Sequence, residues 1–141
     1  GQRRQPAEAA GTHEQGRDFV MRGLEGPVTM LNLLRFRATA DYSASPALAP
    51  PEPISGREAY DRYMAHTRPF LEDAGGALEL IAEGGKCLIG PDDERWDLVL
   101  LVKHKSTEAF LAFADHEGYL AGVGHRTAAL EDSRLVPLVV R

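Results

Sequence analysis

Eight side chains stand where their chemistry exceeds what a plain structural residue would supply: Asn32, Arg35, Tyr63, His66, Trp96, His116, Tyr119 and Arg126. Asn32 interrupts the apolar run Met30-Leu31-Asn32-Leu33-Leu34, although Asn is depleted in strands and a buried amide must find partners. It is read as a donor to a substrate carbonyl, to a developing enolate or to dioxygen, against a structural amide that bridges to backbone. His66 and His116 are the candidate proton carriers, because imidazole changes charge near neutral pH. His66 shares one side of a helix with Tyr63 and Phe70, and the plain alternative is a partly exposed His on the helix flank. His104 and His125 are read as peripheral. Arg35 and Arg126 can clamp a carboxylate bidentately. Arg126 lies seven residues after Tyr119, on the stripe that also holds Val123 and Leu130, where an internal Asp or Glu is the usual partner of such a cation. Trp96 is read as a packing aromatic or a cavity wall.

Other chemistries find no pattern. There is no HxxxH, no HExxH and no close carboxylate–histidine cluster on one helix face, so no metal is expected. The serines fall at caps or in loops and no G-x-S-x-G occurs. The single cysteine, Cys87, is followed by Leu88 and Ile89 and is read as a buried, inert thiol. Gly75-Gly76 and Gly84-Gly85 are turn glycines with no helix directly behind them, not phosphate loops. No cofactor is expected.

The elements that position these residues begin with one domain's worth of chain, 141 residues. A net charge of -5 with both signs interspersed gives no basic stripe for nucleic acid. No apolar run reaches the roughly 20 residues that cross a bilayer, and no signal-type segment opens the sequence, so a cytoplasmic protein is expected. Residues 1–25 read as a flexible lead-in and a short helix capped by Thr12; residues 26–141 read as a single domain with a loop insertion at about 37–54. The stretch 28–36 is a strand with apolar residues on both faces, and Ala, Ser and Pro fill the loop that follows. Ser55-Gly56-Arg57-Glu58 is a capping box for a helix with Tyr60, Tyr63, Met64, Thr67, Phe70 and Leu71 on one stripe. A strand over 77–83, a tight turn at Gly84-Gly85 and a return strand over 86–89 come next. The run 97–104 is the strongest strand. Ser106 caps a helix that breaks near 115–118 and resumes over 119–130, and a last strand covers 134–140. The pattern is an α+β, ferredoxin-like antiparallel sheet with helices on one face. Helices cover only one face of such a sheet, so the doubly apolar strands call for a second copy against the other face, as a homodimer.

Tyr60-Asp61-Arg62-Tyr63, Gly75-Gly76, Gly84-Gly85, Trp96, Ser106-Thr107-Glu108-Ala109, and Tyr119 with Arg126 are short motifs. Together they resemble the dimeric α+β barrel superfamily, and within it a bacterial family of small proteins of unknown function. The likeness runs from about Gly26 to Pro137. The resemblance implies a ligand-sized cavity between sheet and helices, in a superfamily that includes cofactor-free monooxygenases, lactone isomerases and haem enzymes. The functional expectation is a small-molecule-binding protein, with a cofactor-independent monooxygenase or isomerase acting on a small organic acid or carbonyl compound as its enzymatic form. In it His66 or His116 moves a proton, Asn32 steadies the enolate oxygen, and Arg126 or Arg35 holds the acid. The alternatives are a non-catalytic homodimeric binding or assembly module and, ranked last, haem binding through one His.

Overall fold

The computed structural model describes residues 11–141, so the expected lead-in over 1–10 lies outside the described residues. Helix α1 (His13–Met21) opens on a reciprocal cap, with Thr12 Oγ1 accepting from Gln15 N at 3.0 Å and Gln15 Oε1 accepting from Thr12 N at 2.9 Å. Strand β1 (Val28–Phe36), helix α2 (Gly56–Asp73), strands β2 (Ala77–Lys86) and β3 (Arg95–His104), helices α3 (Thr107–Ala114), α4 (Glu117–Leu120) and α5 (Val123–Ala129), and strand β4 (Leu130–Leu138) follow. The four strands form one antiparallel sheet in the order β2-β3-β1-β4. This is the α+β, ferredoxin-like arrangement expected from the pattern, with β1 in the interior of the sheet.

The sheet's two faces differ. Leu34, Phe36, Leu98 and Leu100 form the core with Ala59 and Tyr60 of α2, Ala129 of α5 and Leu130. By alternation Met30 and Asn32 share that helix-covered face. Leu31, Leu33, Val99 and Leu101 point the other way and are only half-buried, with Leu80 and Val136 exposed beside them. Which face of β1 meets the helices is thereby decided: it is the one bearing Asn32.

Several local expectations are corrected. Gly84-Gly85 is not a hairpin, because β2 runs straight through both residues and pairs with β3 as far as Lys86–Arg95. Gly84 is there for close approach: a Cβ on it would sit 2.2 Å from the Trp96 carbonyl oxygen. The real turn spans Cys87 to Glu94, closed by Cys87 N donating to Glu94 O at 3.2 Å. Leu88 and Ile89 stand at its tip, fully exposed, and Cys87 is half-buried rather than sealed in a core. The last helix is two helices broken at Ala121–Gly122, and β4 begins at Leu130, four residues earlier than its apolar run suggests. Ser55 does accept from Glu58 N at 3.0 Å, but its hydroxyl also donates to Glu58 Oε1, so the return half of the capping box is not made. The insertion at 37–54 is an ordered cover. Arg37 N and Asp41 N donate to the Ala129 and Ala128 carbonyls at 2.9 Å each, Tyr42 bonds His125, and Ser45 lies against Gly124, where a Cβ would collide with it. Among the described residues no helix is long and apolar enough to cross a membrane.

Candidate functional site

The helix-covered face carries a continuous series of rings. Tyr60 lies 5.6 Å from Phe36 and 5.2 Å from Tyr63, Tyr63 lies 6.1 Å from Tyr119, Tyr119 packs at 4.6 Å on Phe113, and Phe113 lies 5.5 Å from His104. The stripe of α2 supplies Tyr60 and Tyr63, and α4 supplies Tyr119. The two site tyrosines meet through a 2.9 Å hydroxyl–hydroxyl hydrogen bond. Burial pushes the Tyr63 phenol well above its ordinary value, and the nearby Tyr119 and Tyr60 add to the rise. Burial also raises Tyr60, while the Arg126 guanidinium beside it offsets part of the effect. Both phenols are therefore neutral hydrogen-bonding groups at physiological pH.

Arg126 is not on the same helix as Tyr119, contrary to the expected single stripe; it belongs to α5, which the break at Gly122 re-aims. The chain still brings the two together around Tyr60 and Tyr63. Half-buried Arg126 has no carboxylate within ion-pair distance among the described residues. Its neighbours are phenols. Asn32, 9% exposed, sits on the floor of this face between Leu100 and Leu135, and its Nδ2 donates only a long 3.3 Å bond to the Met30 carbonyl of its own strand.

The two candidate histidines converge on one residue, Gly118, from either side. His66 Nε2 donates to the Gly118 carbonyl at 2.7 Å, and His116 Nδ1 accepts from Gly118 N at 2.9 Å as the N-cap of α4. Phe70 lies 5.3 Å from both rings, and a Cβ on Gly118 would run into it. Together these contacts fasten α4, and with it Tyr119, to α2.

Arg35 and Trp96 lie apart from this group. Arg35 is on the uncovered face, 3.4 Å from Glu131 and 3.8 Å from Asp132. Trp96 is buried at the far end of the sheet with the Arg134 guanidinium 5.1 Å over its ring. Two histidines read as peripheral are not. His125 is half-buried and bonds Tyr42 through Nδ1 at 2.8 Å. His104 is 3% exposed, and desolvation lowers it to about 4. Its parity with Leu98, Leu100 and Val102 on β3 was the available signal. Its Nδ1 has no partner, nor do the hydroxyls of Thr107 and Thr67, and each unpaired buried group costs about 1–3 kcal/mol.

A groove of about 280 Å³ opens elsewhere, on the flank between β2 and α2, lined by Phe36, Ile81 and Leu98 with the Arg57–Glu83 ion pair at 3.0 Å. Of the ring series only Phe36 borders it; Tyr60, Tyr63, Tyr119, Phe113 and His104 do not. Among the described residues no group of three His, Cys, Asp or Glu is placed to hold a metal.

Comparison with solved structures decides the family. The RPA0582 protein of Rhodopseudomonas palustris, a protein of unknown function, is 35% identical, with 96% of this chain and 98% of that one covered and a TM-score of 0.81. Its methylated form gives 34% identity, 97% coverage of each chain and a TM-score of 0.84. The chain belongs to that protein's family. Its ferredoxin-like fold recurs in more distant proteins. A dimeric ferredoxin-like protein of unknown function from Jannaschia sp. superposes with a TM-score of 0.52 at 15% identity, covering 82% of this chain and all of that one. SnoaB, a cofactor-independent oxygenase from Streptomyces nogalater, does so at 0.51 and 16%, covering 83% and 95%. No family model and no curated protein matches the chain.

Proposed function

We propose that this protein is a homodimer that binds a small organic acid or carbonyl compound between sheet and helices, and acts on it by cofactor-independent isomerisation or oxygenation. The observation that carries the acid is Arg126: a half-buried guanidinium beside the Tyr60 and Tyr63 phenols, with no carboxylate at ion-pair distance among the described residues, is suited to an anion from outside. Asn32 and the Tyr63–Tyr119 pair are uncharged donors on the same face, suited to an oxygen that gains charge as a neighbouring carbon loses its proton. His66 is the better proton acceptor of the two histidines: with its Nε2–H given to Gly118, its Nδ1 carries the lone pair. In isomerisation the proton returns to another carbon. In oxygenation the carbanion is taken by dioxygen, and the protonated peroxide loses water to leave a carbonyl. The kinship of fold with an oxygenase that needs no cofactor supports this reading by analogy alone.

The homodimer is proposed through the open sheet face, whose centre of Leu31, Leu33, Val99 and Leu101 leaves apolar surface that a second copy would bury. A non-catalytic binding module is the second reading, favoured by the use of both His66 and His116 to hold Gly118.

Titration calorimetry with short carboxylates and their primary amides tests the acid site. Carboxylates bind and amides do not, and Arg126→Gln weakens the carboxylates about ten-fold or more. Equal binding of acid and amide would end the proposal.

A further inference from the structure

Side chains, not backbone, hold helix α4 to the ring-lined face. The helix is four residues long, none of them buried, and among the described residues no backbone hydrogen bond ties it to α2. The Tyr63 and Tyr119 hydroxyls meet at 2.9 Å, His66 Nε2 donates to the Gly118 carbonyl at 2.7 Å, and the Phe70 ring lies 5.3 Å from both the His66 and the His116 rings. The seat is close: a Cβ on Gly118 would run into Phe70, and one on Gly122 would run into His66. His116 shapes the first turn of the helix, its Nδ1 accepting from Gly118 N at 2.9 Å.

The two histidines answer a proton differently. His66 holds Gly118 through a donor, and Nε2–H donates whether the ring is neutral or charged, so that bond survives protonation. His116 holds it through a lone pair. A proton on Nδ1 removes the lone pair, sets one N–H against another, and puts a positive charge at the end of α4 where the amides already present theirs. The charged and titratable groups around His116 come from four sources. On α2, His66 and Asp73 lie one turn to either side of Phe70, while Arg68 is paired with Glu72 at 3.3 Å. Asp115 and Glu117 flank His116 in the chain. The one charged residue of α3 is Glu108, in its first turn. On α5, His125 is bonded to Tyr42 and Arg126 lies beside Tyr60.

We infer that His116 is a positioning residue of the proposed site: while neutral it caps α4 and keeps the Tyr119 hydroxyl on Tyr63, and its protonation uncaps α4 and releases Tyr119. This role rests on the reading of the Tyr63–Tyr119 pair as donors to the ligand, and it adds that binding weakens as pH falls through the imidazole range, about pH 8 to 5. His66 takes up a proton at Nδ1 without loosening the same helix.

Tyrosine-labelled NMR of the unliganded protein, with benzoate calorimetry on the same samples, tests this at about pH 8 and about pH 5.5. Benzoate, a carboxylate of ordinary acidity, stays ionised at both. In the parent, the Overhauser contact between the Tyr63 and Tyr119 rings weakens several-fold at the lower pH, and benzoate affinity falls about five-fold with it. His116→Asn and His116→Asp, which cap without titrating in this range, keep the contact and the affinity at both, whereas His116→Ala shows the acid behaviour at the higher pH as well. A ring contact that ignores pH in the parent overturns the inference and leaves the acid site standing. So does a pH response that survives in His116→Asn, since another group then carries it. A ring contact that follows His116 while benzoate affinity does not overturns the positioning role. Benzoate that binds at neither pH ends the acid site, and the positioning role with it. Circular dichroism confirms that each variant is folded.

Discussion

Leu33 and Leu34 are neighbours in β1, yet one is half-buried on the uncovered face and the other has no exposed surface. The contrast extends across the whole sheet. On the uncovered face, charged groups are gathered at one end in ion pairs: Arg35 with Glu131 and Asp132, Arg95 with Asp97 and Glu131, Arg134 with Asp132 at 2.8 Å, although the buried Arg35 Nε is in no hydrogen bond. On the covered face they are spread among rings: Asn32 makes one long bond, His104 Nδ1 and the hydroxyls of Thr67 and Thr107 make none, and Arg126 meets phenols rather than a carboxylate. Buried polar groups are normally satisfied within the protein. A face that satisfies its charges internally has a structural task. Under the proposed function, a face that retains unsatisfied groups at the cost of stability is arranged for something that arrives from solution.

The largest effect separates the two leucines. Leu34→Asp puts a carboxylate into the core, where no partner can compensate it, and is expected to leave no folded protein. Leu33→Asp is expected to fold, with an unchanged far-ultraviolet spectrum, and to run as a monomer in light scattering, against the dimer proposed for the parent. A Leu33→Asp protein that remains dimeric would remove the proposed role of the open face.

His104 sharpens the other side. Its folded value is depressed to about 4 from an ordinary 6.5, so as pH falls the unfolded chain takes the proton first. Stability is therefore complete above about pH 6.5, is lost progressively toward pH 4, and falls by up to roughly 3 kcal/mol. Urea melts at fixed protein concentration should show that slope, and His104→Leu should flatten it. On the open face Asp132 gives the paired counterpart. Its carboxylate is nearly fully buried and takes Arg134 Nη1 and the Ser133 amide at 2.8 Å each. Asp132→Asn strands the charge on Arg134 and leaves Arg35 only Glu131, and should lower stability by about 2 kcal/mol without altering affinity for any carboxylate ligand. A change in ligand affinity would mean that the two faces are not separate in function.

Much of this contrast was legible in the sequence, and the failures share a cause. The fold class, the caps at Thr12, Ser55 and Ser106, and the doubly apolar β1 follow from periodicity and local hydrogen-bond chemistry, which act over a few residues. Gly84-Gly85 was misread because glycine serves both tight turns and close strand contacts, and only the carbonyl of Trp96, twelve residues away, tells them apart. His104 was misplaced because a strand-end histidine is peripheral unless a helix such as α3 folds over it. That Arg126 lacks a carboxylate partner could not be read from spacing at all, since it depends on where α2 and α5 place their charges.

The smallest effect bears on what the hydroxyl pair of the covered face is for. Tyr63→Phe removes one member of a 2.9 Å bond and leaves the Tyr119 hydroxyl without that partner; Tyr119→Phe does the reverse. Each is expected to cost about 1 kcal/mol. The double variant should cost no more than either single one, because no orphan remains and two apolar rings of the same shape are left, which makes the coupling energy about 1 kcal/mol. Structural pairing alone predicts that result and nothing further. If the pair also faces the ligand, as the acid site requires, the double variant keeps its stability and still loses carboxylate affinity. Thermal melts and calorimetry on the same four proteins decide this. Unchanged affinity in the double variant would place Tyr63 and Tyr119 with the ion pairs of the other face, as groups that satisfy only each other.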